Sequence, residues 1–246
     1  MIKAFIDFDG TIALRDVGDL MFETFGGPRC VRIVEEYHAG SLSAAECFLR
    51  ECEACGEVDR RQLDKFLDDQ NIDPSFGEFV KFCRDRNIEG TILSDGMNYY
   101  IERILKNHGL ADVPFFANRL DFVPVDGTSR VRLQPSFPHR DENCDRCACC
   151  KRNHMLALAA DNDIIVYIGE GFSDRCPARY ADVVFAKDDL KEYCRESGIP
   201  FVPFRTFGDV TRRLTKMIDR NDSIGGVRLR KRRRAELARC EVFLGG

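Results

Sequence analysis

The chain has 246 residues, 44% of them hydrophobic and 32% charged, with a formal net charge of −4. That length suits one large domain or a domain with an inserted lobe, the composition is that of a globular protein, and no run of about 18 apolar residues offers a membrane span. The charge is uneven: residues 228–239 hold seven Arg/Lys against one Glu, a local +6, so the rest of the chain carries −10. An acidic body suits a cation site and argues against nucleic acid as the main partner.

The N-terminus, MIKAFIDFDG, lacks a charged leader, a long apolar core and a cleavage site, so a cytoplasmic location is expected. Ile2–Ile6 reads as a short buried strand. It stops at Asp7-Phe8-Asp9-Gly10-Thr11, where two carboxylates straddle one residue. Two such charges at a strand end can approach one point, and a divalent cation would relieve their repulsion. Residues 16–25, 31–39, 43–55 and 59–69 then read as amphipathic helices, with Ser43 and Glu46 in a capping-box pattern. No strand is expected between residue 16 and about residue 72, so a small helical lobe follows the first strand. Further on, Ser75–Asn87 reads as a helix, Ile88–Leu93 as a buried strand ending in Ser94-Asp95-Gly96, and Met97–His108 as a helix. A third strand is expected at Val113–Asn118, and Leu120–Leu133 alternates like a hairpin around Asp126-Gly127. A cysteine-rich loop, Cys144–Cys150, leads into a helix over Lys151–Ala160. Ile164–Ile168 is strand-like and ends in Gly169-Glu170-Gly171-Phe172-Ser173-Asp174. A short helix near Pro177, a strand at Val183–Ala186, a helix over residues 207–218 and a basic last helix complete the chain. This alternation predicts an α/β fold with a parallel sheet between two helical layers.

Asp7-x-Asp9-Gly10-Thr11 after an N-terminal strand resembles the first motif of the haloacid-dehalogenase (HAD) superfamily of phosphatases. Ser94, Lys151 and the pair Glu170 and Asp174 match its later motifs in order, each at a strand end or a helix start. The resemblance implies a Rossmann-like core over residues 1–14 and 75–246, with residues 15–74 as a small all-helical cap. It also implies Mg²⁺-dependent hydrolysis of a small phosphate ester. Asp7 would be the nucleophile, and Asp9 would exchange protons with the leaving group and with water. Thr11, Ser94, Asp95, Gly96 and Lys151 would bind phosphate. Asp7, Asp9, Glu170 and Asp174 would hold the metal, with the Asp9 main-chain carbonyl as its donor. Close relatives usually carry Asp where Glu170 stands; the extra methylene shifts that carboxylate by about one bond length, a change that octahedral Mg²⁺ tolerates poorly.

The helical insert is similar to the cap of the phosphoserine-phosphatase-like group. Phe137-Pro138-His139, Cys149-Cys150-Lys151 and Phe185-Ala186 resemble the methionine-salvage phosphatases, which act on a methylthio-diketopentene phosphate. Ser94-Asp95 and Asp174 followed by Cys176-Pro177 resemble the phosphoethanolamine and phosphocholine phosphatases. Asp16 has two readings, a substrate-facing acid or the N-cap of the next helix. Asp95 likewise either contacts substrate or caps its following helix. Cys144, Cys147, Cys149 and Cys150 are read as zinc ligands, as packed thiols or as a disulfide. The basic run Arg228–Arg234 keeps a second class of function open, a polyanion-binding protein on a vestigial phosphatase fold.

Overall fold

The structure, a computed structural model, describes residues 1–144 and 146–219. The basic run 228–239 and the expected last helix lie outside the described residues. In chain order the elements are β1 (Ile2–Ile6), α1 (Val17–Gly26), α2 (Pro28–His38), α3 (Ala44–Cys55), β2 (Glu57–Asp59), α4 (Arg60–Asp68), α5 (Phe76–Asp85), β3 (Ile88–Met97) and α6 (Asn98–Asn107). Then follow β4 (Phe115–Pro124), β5 (Arg130–Ser136), α7 (Lys151–Leu158), β6 (Ile164–Gly169), α8 (Arg175–Ala178), β7 (Val183–Ala186), α9 (Asp188–Glu196), β8 (Val202–Pro203) and α10 (Phe207–Asp219). A 3-10 turn over Phe172–Asp174 precedes α8. No described helix is long and apolar enough to cross a membrane.

The chain divides into two compact units. The first comprises Met1–Asp7, Asp73–Ile92 and the described residues from Lys151 to Asp219. Its strands lie in the order β3-β1-β6-β7-β8, all parallel. Ile2 to Ile6 pair with Ile88 to Ile92 on one side and with Ile164 to Ile168 on the other. Strands covered on both faces read as continuous apolar runs, and Ala4, Phe5, Ile6, Ile165, Val166 and Ile168 are buried accordingly. The chain runs from β1 to β3 on one side and returns to β6 on the other. That reversal makes the carboxyl end of β1 a topological switch point, where open α/β sheets place their ligands.

Helices α5 and α10 pack on each other through Phe76, Phe79 and Phe207, with ring centroids 4.8 and 5.1 Å from Phe207. Asp73 joins them by polar contacts. It is buried, and its Oδ2 accepts the Phe207 amide at 3.0 Å while its Oδ1 accepts the Ser75 amide at 2.8 Å.

The second unit comprises Phe8–Ile72 and Leu93–Cys150. Helices α1, α2 and α3 pack together, and α4 packs on α6. The capping box expected at Ser43 forms. β4 and β5 make an antiparallel hairpin. Arg60 lies over the rings of Tyr99 and Phe122, 4.4 and 3.6 Å from their centroids.

Several expectations are corrected. The helical segment contains a strand after all, because β2 pairs with β5 in the register Val58↔Val131. Three residues with one apolar side chain show no period; only the partner strand reveals them. β3 runs on through Ser94-Asp95-Gly96 to Met97 rather than ending at Leu93, and Asn118 Nδ2 donates to the Asp95 carbonyl at 2.6 Å along that stretch. The expected third strand and the first arm of the hairpin form one element, β4. Helix α9 and strand β8 were not anticipated: α9 buries only Leu190 and Cys194, and β8 has two residues.

Phe207 is fully buried in the aromatic contact. Replacing it with alanine should cost about 3–5 kcal/mol of unfolding free energy, read from urea denaturation.

Candidate active site

In the first unit, β1 delivers Asp7 to the switch point. The Asp7 amide still bonds the Ile168 carbonyl at 2.9 Å, so the parallel ladder holds its backbone one residue past the strand. Lys151 opens α7 and is 1% exposed. Its ammonium donates to Asp7 Oδ1 at 2.5 Å and to Asp174 Oδ1 at 2.7 Å. Asp174 Oδ1 also accepts the Tyr167 hydroxyl at 2.5 Å, and its Oδ2 accepts the amides of Glu170 and Gly171 at 2.9 and 3.0 Å. Burial alone would pull the Lys151 ammonium down, but Asp174 and then Asp7 hold it well above the ordinary lysine range. Burial, then Asp174, raises the Tyr167 phenol well above its usual value, so it stays a donor. Asp174 sits so close to the strand that a Cβ on Gly169 would lie 2.5 Å from its Oδ2. Glycine is required there for space.

In the second unit, Asp9 is held by three donors. The Val17 amide at the start of α1 donates to Oδ1 at 3.0 Å, and the Tyr100 hydroxyl donates to Oδ2 at 2.6 Å. Ser94 Oγ lies 3.4 Å from Oδ2 and accepts the Gly96 amide at 2.9 Å. Thr11 is buried in the same turn, where its amide bonds the Phe8 carbonyl at 3.2 Å. Burial, then Asp9 and Asp16, raises Tyr100 well above the usual phenol. A Cβ on Gly96 would lie 1.7 Å from the Tyr100 oxygen and 2.6 Å from Asp9 Oδ2. The absence of a side chain at 96 is what lets tyrosine reach the carboxylate.

Asp95 does not cap α6, whose N-cap Met97 makes no side-chain cap bond. Its Oδ1 instead accepts the amides of Ala148 and Cys149 at 2.7 and 2.8 Å, which pins the cysteine loop. Asp16 is the N-cap of α1 and accepts the Asp19 amide at 2.8 Å.

Every described cysteine is a free thiol. The zinc reading of Cys144, Cys147, Cys149 and Cys150 is not supported: among the described residues no group of three or more His, Cys, Asp or Glu could hold a metal ion. The loop spends its polarity internally, with Cys150 hydrogen-bonded to Cys147 and the Cys150 amide on the His139 carbonyl at 2.9 Å. The same finding covers the four acids assigned to Mg²⁺, which form no ready cage. The donor chemistry nevertheless fits that ion. Mg²⁺ takes oxygen ligands, keeps several waters and is bound through one or two carboxylates plus phosphate. Asp7 offers an oxygen at the switch point, and Glu170 is partly exposed beside it in the β6 loop. Asp174, with both oxygens already accepting, suits the role of ordering its neighbours better than that of a direct ligand.

Tyr167, Tyr100 and Glu51 were missed from the sequence. A tyrosine inside a buried Ile/Val strand must find a partner for its hydroxyl, and that signal was present at Tyr167. Glu51 falls on the buried face of α3, four residues from both Cys47 and Cys55.

Comparison with known proteins places this geometry in context. A family model described as Putative Phosphatase matches residues 2–194. A 2-hydroxy-3-keto-5-methylthiopentenyl-1-phosphate phosphatase of Brevibacillus brevis is 31% identical over 216 residues, covering 87% of this chain and 95% of that one. A protein of the same name from Bacillus cereus is 29% identical over 224 residues, covering 89% and 98%. Among solved structures, a phospho-aspartyl intermediate analogue of phosphoserine phosphatase superposes with a TM-score of 0.64 at 17% identity, over 86% of this chain and 98% of that chain. At that identity the likeness concerns the fold.

Glu51 has a measurable consequence. It is 2% exposed, its Oε1 has no hydrogen-bond partner, and its Oε2 takes only the Cys47 thiol at 3.7 Å. Burial, then Asp19, pushes its carboxyl from 4.5 up to about 8. A folded value above the unfolded one means that the stabilisation is full below about pH 4.5 and is lost as pH rises through 8. Glu51→Gln should therefore remove a downward slope of up to about 1.4 kcal/mol per pH unit across that window, read as the difference between wild-type and variant unfolding curves.

Proposed function

The chain belongs to the Putative Phosphatase family, and from that premise we propose that it hydrolyses the phosphomonoester of a small metabolite through an aspartyl-phosphate on Asp7. The observation that carries the reading is Lys151, a buried ammonium joined to Asp7 and Asp174. An alkyl phosphate dianion repels an aspartate nucleophile. A fixed cation bonded to that nucleophile offsets the repulsion and does not need to reorganise as charge moves. Asp7 attacks phosphorus, a carboxylate O–P bond forms, and the ester O–P bond breaks. The alkoxide takes its proton from Asp9. Water then attacks the acyl phosphate, Asp9 accepts its proton, and inorganic phosphate leaves with Asp7 restored. Tyr100 and the Val17 amide orient the Asp9 carboxylate for both transfers. Asp7, the Asp9 carbonyl and Glu170 would hold Mg²⁺, with Asp174 fixing the loop around it. A bound ion would supply charge neutralisation at the phosphate. Thr11 and the Ser94 hydroxyl, turned from its 3.4 Å contact with Asp9, would supply neutral donors to phosphate, whereas the Gly96 amide is taken by Ser94 Oγ.

The substrate proposed is the one that the curated relatives' names carry, 2-hydroxy-3-keto-5-methylthiopentenyl-1-phosphate. A second reading, an aminoalkyl phosphate such as phosphoserine or phosphoethanolamine, is favoured by Asp16, an acid whose charge acts on Tyr100, the phenol bonded to Asp9. We place the enzyme in the cytoplasm, where the free thiols of the cysteine loop persist. The helical segment 15–74 is proposed as the cap that shields the reaction from bulk water.

Asp7→Asn should lower kcat by at least about 10³-fold while thermal unfolding stays cooperative; phosphate release near the wild-type rate would remove the mechanism. Chelation should abolish turnover and Mg²⁺ should restore it. A phosphomonoester panel decides the substrate. The methylthio-diketopentene phosphate should show the highest kcat/KM, whereas preference for phosphoserine or phosphoethanolamine would favour the second reading.

A further inference from the structure

A concave site lies in the first unit, where α9, β8 and α10 meet, with a cavity of about 700 Å³. Such a volume is that of a small-molecule site. Its wall carries six cations, Lys187, Lys191, Arg205, Arg212, Arg213 and Lys216, against Asp188 and Asp209. Asp209 is already committed: its Oδ2 accepts the amides of Arg205 and Thr206 at 3.0 and 3.2 Å, and its Oδ1 pairs with Arg212. Lys191 lies 3.6 Å from Glu192. No ion pair is found for Lys187, Arg205, Arg213 or Lys216 among the described residues. Lys187 is half-buried, with its ammonium 5.5 Å from the centre of the Phe204 ring, so one cation is held against an apolar floor. Like charges gathered around one hollow repel each other until a counter-charge enters.

We propose that this hollow binds a polyphosphate anion, a chain of two or three phosphoryl groups. The surplus of four positive charges in the wall matches a triphosphate better than a single phosphate, which would reach only part of a cavity this wide. Phe204 is 5% exposed and offers no open face for stacking, so the phosphoryl chain rather than a base is what the site reads. The source is either inorganic polyphosphate or the tail of a nucleoside triphosphate.

The site is wired to the catalytic loop. Lys187 donates its amide to the Gly169 carbonyl at 3.2 Å, and the Leu190 amide donates to the Glu170 carbonyl at 2.6 Å. Between them Asp188 sits at φ 44, a left-handed conformation unusual for a non-glycine residue. An anion drawn against Lys187 and Lys191 therefore acts on the backbone that carries Glu170 and leads to Asp174.

The test is calorimetric titration of the full chain, free of divalent metal, with tripolyphosphate and separately with ATP at constant ionic strength. One saturable site is expected for both. Equal affinities identify the phosphoryl chain as the whole ligand, and tighter ATP binding identifies the nucleotide as the source. Arg205→Glu with Lys216→Glu should weaken tripolyphosphate binding by more than about tenfold. The milder Arg213→Gln should act in the same direction, with melting temperatures showing that both variants fold. Asp7→Asn should bind as wild type, so the result stands whether or not Asp7 is the nucleophile. No saturable binding, or binding undiminished by the double variant, would place any anion elsewhere, the basic residues beyond 219 included, and would overturn the proposal.

Discussion

A lysine ammonium removed from water is costly, by several kcal/mol even after relaxation, and Lys151 is removed almost completely. It persists as a cation because two carboxylates stand within 2.7 Å of it. The dependence runs both ways. Asp7 and Asp174 are themselves buried, and the lysine is the counter-charge that the two carboxylates share. Asp174 is satisfied further by Tyr167 and by two amides of the β6 loop. Breaking such a set by removing one member costs about 3–5 kcal/mol, because the remaining charges stay behind. The parallel sheet is what makes the set feasible, since β1 and β6 are adjacent, in register, and end together.

The same economy of space holds around two carboxylates, Asp174 and Asp9. Asp174 reaches its partners only because residue 169 has no side chain, and Tyr100 reaches Asp9 only because residue 96 has none. Glycine at these strand ends serves close approach rather than an unusual backbone angle. A single methyl group at either position would displace the Asp174 carboxylate or the Tyr100 hydroxyl from its partners.

The basic hollow between α9 and α10 shows how charge can be stored away from the chemistry. In the proposed reaction the phosphate meets one buried lysine, Lys151, at the carboxyl end of β1. A second, exposed gathering of cations has no part in that reaction, yet the backbone of α9 bonds directly to the loop of Glu170. A chain with net charge −4 keeps that gathering local, and a local field attracts small anions without making the whole surface polyanion-binding.

Much was legible in the residues. The apolar runs of β1 and β6, each closing on acids, marked a parallel sheet with chemistry at its carboxyl edge. The capping pattern at Ser43 marked one helix start, and of the two readings open for Asp16 the N-cap is the one that forms. Local period and local capping carry such information because they depend on neighbours in sequence. β2 was invisible because three residues become a strand only when β5 lies alongside. Tyr100, Tyr167 and Glu51 did not stand out because hydropathy does not say which polar atom a buried side chain will meet. The pinning of the cysteine loop by Asp95 spans more than fifty positions, and no spacing rule announces it. The sequence by itself determined which residue types could do phosphate chemistry and at which strand ends they stand. Only the tertiary structure decided their partners, because a hydrogen bond between distant residues exists only once folding brings its two ends within 3 Å.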